Sequence, residues 1–91
     1  MLNLSENKTE ISCTVEFRRT DNSTYEAKVI DIKSNSTGKE VKIGQETFIT
    51  ESVKNYLDTI YENANSIKAS CSMREESNEW YVCDIGIYEV I

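Results

Sequence analysis

From Ile11 to Arg18 apolar and polar residues alternate without a break: Ile11, Cys13, Val15 and Phe17 against Ser12, Thr14, Glu16 and Arg18. A strict period of two marks a strand with one face in a core and the other in water. The alternation returns late in the chain, with Ile67, Ala69, Cys71 and Met73 against Lys68, Ser70, Ser72 and Arg74. Between the two runs the period changes once. Val53, Tyr56, Leu57, Ile60, Tyr61 and Ala64 recur at i, i+3, i+4, i+7, i+8 and i+11, which sets all six on one face of a helix. With 91 residues the chain can bury one modest core, so residues 1–91 read as a single domain.

The remaining elements follow from turn chemistry. Residues 1–9 are polar and read as a frayed end. Thr20-Asp21-Asn22-Ser23-Thr24 is a turn, and Tyr25 to Lys33 is a second strand that closes a hairpin. Its Val29-Ile30 pair blurs which face points inward. Ser34 to Gly38 is a loop, Glu40 to Ile43 a short third strand, and Gly44 a break before Phe48-Ile49. Thr50 or Ser52 can cap the helix, because a hydroxyl there accepts a free backbone N–H. Asn63 to Ser66 ends it. Glu75-Glu76-Ser77-Asn78 is a turn into a last strand, Glu79 to Tyr88. On a period of two that strand carries Tyr81, Cys83, Ile85 and Ile87 on one face and Trp80, Val82 and Tyr88 on the other. It is then either covered twice or offers an apolar face to a partner. The expected fold class is α+β: a largely antiparallel five-stranded sheet with one amphipathic helix packed on one face, in the order β-β-β-α-β-β.

Charge is distributed unevenly. Residues 1–43 hold seven acids and seven bases, and residues 44–91 hold nine acids and three bases, so the second half carries the whole net charge of −6. Such a field repels nucleic acid and acidic membrane and attracts basic surfaces. On the helix, Glu51, Asn55, Asp58 and Glu62 form a stripe opposite the apolar face, flanked by Lys54. It reads either as carboxylates standing in for phosphates or as the polar side that any amphipathic helix has. Glu75, Glu76 and Glu79 add three acids at one hairpin tip. Trp80, Tyr88 and Tyr25 are the aromatic candidates for an interface, with covering the sheet face away from the helix the plainer reading of Trp80.

Little chemistry is available. The chain has no histidine, which removes the commonest general base and every Ser-His or Cys-His triad. Glu16 and Asp31 could meet across the first hairpin, but nothing in the pattern desolvates them. There is no glycine-rich phosphate loop. Cys13, Cys71 and Cys83 lack the close spacing of a zinc site and each shares a face with aliphatic residues, so they read as reduced core thiols. No catalytic residue, metal site or cofactor is expected. No leader or membrane-length apolar run is visible, which gives a cytoplasmic expectation, in a bacterial host cell. The N-x-S/T triplets at Asn3, Asn7, Asn22 and Asn35 are what chance gives in a chain rich in those residues.

In size, acidity, α+β build and lack of catalytic residues the chain resembles small phage or mobile-element inhibitors. That class includes anti-CRISPR proteins and inhibitors of DNA-repair or restriction enzymes, several of them DNA mimics. The resemblance is one of character over the whole chain and of no stretch of sequence. It implies a non-enzymatic inhibitor that binds a basic surface of a nucleic-acid-binding protein, contacting neither nucleic acid nor membrane. Glu51, Asp58, Glu62, Glu75, Glu76, Glu79, Trp80 and Tyr88 are its expected contacts. The alternative is an interaction module that pairs, with itself or with a partner, through the last strand and its aromatic face.

Overall fold

The computed structural model describes residues 10–21, 24–60 and 66–90. Five strands and one helix follow in the order β1 (Glu10–Asp21), β2 (Thr24–Asn35), β3 (Glu46–Ile49), α1 (Glu51–Ile60), β4 (Ser66–Glu76) and β5 (Glu79–Val90). The frayed end expected at 1–9 lies outside the described residues.

The sheet is mixed rather than largely antiparallel, and its spatial order is not that of the chain. It closes as a barrel, β1-β2-β3-β5-β4. β1 pairs antiparallel with both β2 and β4, β4 with β5, and β2 with β3, while β3 and β5 run parallel. Short connections make sequential strands antiparallel, which is all that the sequence pattern could see. The connection that carries α1 takes β4 round to the free side of β1. β5 then returns antiparallel to β4 and meets β3 running in the same direction.

The two strictly alternating runs are the strands that face each other across the β1–β4 ladder. Ile11, Cys13, Val15 and Phe17 stand opposite Met73, Cys71, Ala69 and Ile67, and all eight are buried. Ala27 and Val29 of β2, Val82 of β5, and Val53 and Leu57 of α1 complete the same core. Because the sheet closes on itself, α1 does not lie across an open face. Its buried side chains stop the barrel beside β5. Thr50 is the cap: its Oγ1 accepts from the Val53 N–H at 3.3 Å, and its carbonyl accepts from the Lys54 N–H at 3.0 Å. Tyr61 and Ala64, expected on the same helical face, lie outside the described residues.

Residues 40–43 are not a strand. Val41 tucks into the core and Ile43 points out, and the backbone turns at Gly44 with φ +93°. Only then do the Gly44 N–H (2.7 Å) and the Val29 N–H (2.9 Å, to Gln45) begin the pairing of β2 with β3. In β5 the expected faces are also reassigned. The β4–β5 register shifts between Ala69 and Cys71 and again between Ser72 and Met73, so β5 carries an extra residue at each place. Each bulge moves the following side chains to the other face. Val82, Ile85, Tyr88 and Val90 therefore share the inner side of the ladder, opposite Met73, Cys71, Ala69 and Ile67, while Asp84, Ile87 and Glu89 are turned outward. Among the described residues no helix is long and apolar enough to cross a membrane.

Candidate protein-binding surface

The acidic residues of the second half are not equivalent. Asp58 accepts a hydrogen bond from the Tyr25 hydroxyl at 2.6 Å and lies 3.3 Å from Lys54 Nζ. The Tyr25 hydrogen bond, with help from Lys54, holds its carboxyl below the ordinary value of 3.8. Glu75 is paired with Lys39, and Glu76 with Arg74 at 3.4 Å. Lys54, Lys39 and Arg74 each pair with one of these three acids, in contacts that stay open to solvent. Glu51 and Glu79 are exposed, and among the described residues neither has an ion-pair partner. Glu62 lies outside the described residues.

The helical stripe and the hairpin tip approach at one end: the Thr50 N–H, just before Glu51, bonds the Val82 carbonyl at 3.2 Å, three residues from Glu79, while Asp58 lies further along α1 against Tyr25. At the tip, Ser77 and Asn78 have φ of +54° and +67°, the mirror-image turn whose twist suits a two-residue hairpin.

The aromatic candidates divide. Trp80 and Tyr25 are partly buried and pack against the core. Tyr88 is 38% exposed, and Tyr56 of α1 meets it edge-on with ring centroids 6.5 Å apart. The sequence reading missed the residues beside it. Ile87 is 86% exposed and Val90 60%. A strict period of two hides them, since it pairs Ile87 with Ile85, which in fact packs on the core. Two further acids, Asp84 and Glu89, lie on the same stretch and have no ion pair among the described residues, although Glu89 faces Lys68 across the ladder.

This stretch is also where the barrel is incomplete. β3 meets β5 only at Phe48–Tyr81 and Ile49–Val82, after which the Thr50 N–H bonds the Val82 carbonyl at 3.2 Å and the chain turns into α1. Beyond Val82, among the described residues, no strand pairs with β5 on its side away from β4. A groove of about 220 Å³ runs between α1 and this edge, lined by Ser52, Val53, Tyr56, Cys83, Asp84 and Ile85.

The other surfaces are chemically plain. Glu16 stands opposite Lys28, and Asp31 opposite Thr14, so the two carboxylates do not meet. A groove of about 330 Å³ across β2, β1, β4 and β5 mixes Lys33 and Lys68 with Asp31 and Glu89. Cys13 and Cys71 are core residues, and burial pushes their thiols up to about 11 and about 12, while Cys83 is half-buried and also raised by burial. Among the described residues no group of three His, Cys, Asp or Glu side chains is placed to hold a metal.

No family model, curated protein or solved structure matches this chain. Glu16, Glu26 and Glu46 line a small groove together with Arg18 and Lys28, and the Phe48 and Tyr81 ring centroids lie 5.4 Å apart.

Proposed function

We propose that this chain is a small, acidic, non-enzymatic protein that binds a basic surface on a partner, in the manner of an inhibitor that occupies a nucleic-acid-binding protein. The observation that carries this reading is β5. It holds three acids, Glu79, Asp84 and Glu89, and no base, and beside them it exposes Ile87, Tyr88 and Val90. Unpaired carboxylates steer a basic partner, and the apolar side chains supply the desolvated contact that long-range attraction cannot. Glu51, at the start of α1 and next to the groove-lining Ser52, extends the same acidic side. A phage or mobile-element setting, with evasion of a host defence, is the role that such a protein suits.

The test is a pull-down from bacterial lysate at low and high salt, with mass spectrometry of the eluate, run beside the triple variant Glu51→Gln, Asp84→Asn, Glu89→Gln. The expected result is a basic nucleic-acid-binding protein that salt releases and that the variant fails to retain. Retention that neither salt nor the variant alters would exclude an acid-guided interface.

The free edge of β5 also favours a second reading, homodimerisation through that strand. Antiparallel self-pairing would set Asp84 and Glu89 of both copies on one face with no base from either strand, which is unfavourable for like charges placed side by side.

A further inference from the structure

Resting on the reading of a basic partner, we propose that the outer edge of β5 from Asp84 to Val90 is a strand-addition site, and that its occupant is an extended segment of the partner in which apolar and basic residues alternate.

The edge has the form that this mode needs. Residues 84–90 span roughly 23 Å, the length of an ordinary strand. Their β4-facing side is paired, and their other side has no strand against it among the described residues. β5 carries no lysine and no proline, two of the devices that blunt an exposed edge, and its bulge between Ile85 and Tyr88 offsets the register only in the middle of the site. α1 flanks it through Tyr56, which meets the Tyr88 ring edge-on, and the groove between Tyr56 and Asp84 leaves room for a chain to enter.

The two sides of the edge ask for different chemistry. Ile85, Tyr88 and Val90, with Tyr56 above Tyr88, make the inner side apolar. Asp84 and Glu89 flank Ile87 on the outer side. Successive side chains of an added strand point to opposite sides, so alternate residues would meet an apolar strip and a pair of carboxylates. A segment alternating apolar with Lys or Arg satisfies both at once. A second copy of β5 satisfies the first and brings four carboxylates to the second. The two acids therefore act against self-pairing while admitting a cationic strand.

The probes are two synthetic peptides of about twelve residues, with Val and Thr alternating with Lys in one and with Glu in the other. A third repeats the Lys peptide with the alternate amides N-methylated, which removes the strand hydrogen bonds and keeps the charge. Each is titrated into the full chain, with amide exchange read by NMR and oligomeric state by sedimentation. The Lys peptide should bind, slow exchange at the β5 edge, and weaken as salt rises. The Glu peptide and the N-methylated peptide should not. Asp84→Asn with Glu89→Gln should weaken the Lys peptide roughly tenfold at low salt. Ile87→Lys, at a position too exposed to matter for folding, should weaken it as well. Equal binding of the Lys and Glu peptides, or binding of the N-methylated one, would overturn strand addition by a basic segment. So would a concentration-dependent dimer that Ile87→Lys abolishes. If no peptide binds while the lysate partner still elutes with salt and is unaffected by Ile87→Lys, this site falls and the basic partner stands. If neither binds, both fall.

Discussion

Tyr25 on β2 donates its hydroxyl to Asp58 on α1 across 33 residues of chain, at 2.6 Å. The contact ties the outer side of the helix to the barrel, while Val53 and Leu57 tie the inner side. It gives one exposed carboxylate of the acidic stripe a partner within the chain.

This gives Asp58 a pH signature. Its carboxyl titrates below the ordinary value of 3.8 because the ionised form accepts the Tyr25 hydrogen bond. A depressed folded value means stability that is present above the unfolded value and is lost as pH falls through the folded one. We expect Tyr25→Phe to raise the Asp58 value, seen in carboxyl carbon shifts by NMR. Acid unfolding should begin at a higher pH. The difference between the two proteins should be full at neutral pH and should shrink in strong acid. An unchanged Asp58 titration would mean that the cations Lys54 and Arg19 set it without Tyr25.

The thiols work in the opposite sense. Cys13 and Cys71 are held neutral up to about 11 and about 12, against 9.0 for a free thiol. Stability is therefore full below about pH 9 and falls as pH rises from there towards the folded values. At pH 8 only about one Cys13 in a thousand is ionised, so a disulfide reagent should find it nearly inert. We expect half-buried Cys83 to react first and Cys13 and Cys71 only after denaturant is added. Prompt reaction of all three in the native protein would contradict their burial.

The β4–β5 turn gives a stabilising change. Ser77 and Asn78 both sit in the left-handed region, where a side chain costs energy and Asn-Gly is the favoured pair. Ser77→Asn with Asn78→Gly should add about 1 kcal/mol, or roughly 4–8 °C in melting temperature. Conversely, Thr50→Ala should cost about 1 kcal/mol by leaving the Val53 N–H without its cap. Thermal melts of the two variants should shift in opposite directions.

How much of this was legible depended on whether the chain kept its period. β1 and β4 are unbroken alternations, and their inward residues are the core. The buried Val53 and Leu57 follow from the helical spacing in the same way. β5 was misread because two bulges turn a period of two into Val82, Ile85, Tyr88, and no local composition signals an extra residue there. β3 was misplaced because a four-residue strand has too few side chains to show a period. Barrel closure lies beyond any local pattern, since it depends on which edge of β1 receives β4. The acids were legible as a charge but not as separate fates: Lys39 reaches Glu75 over 36 residues, and Tyr25 reaches Asp58 over 33.

Trp80 and Ile87 make the last pair of expectations. Trp80 packs against the core from the first turn of β5, whereas Ile87 is turned out to solvent on the outer side of the same strand. Composition makes Trp80 a candidate for the interface, since tryptophan is enriched in binding hot spots, and its packing against the core favours the covering role instead. Trp80→Ala should cost about 2–3 kcal/mol of folding stability, less than a fully buried tryptophan, and leave partner affinity in the folded protein unchanged. Ile87→Lys should leave stability within about 0.5 kcal/mol and weaken the partner. Urea unfolding and binding measured on the same two variants separate the roles. If Trp80→Ala lost binding at unchanged stability, the contact surface would lie by the hairpin tip and not at the β5 edge.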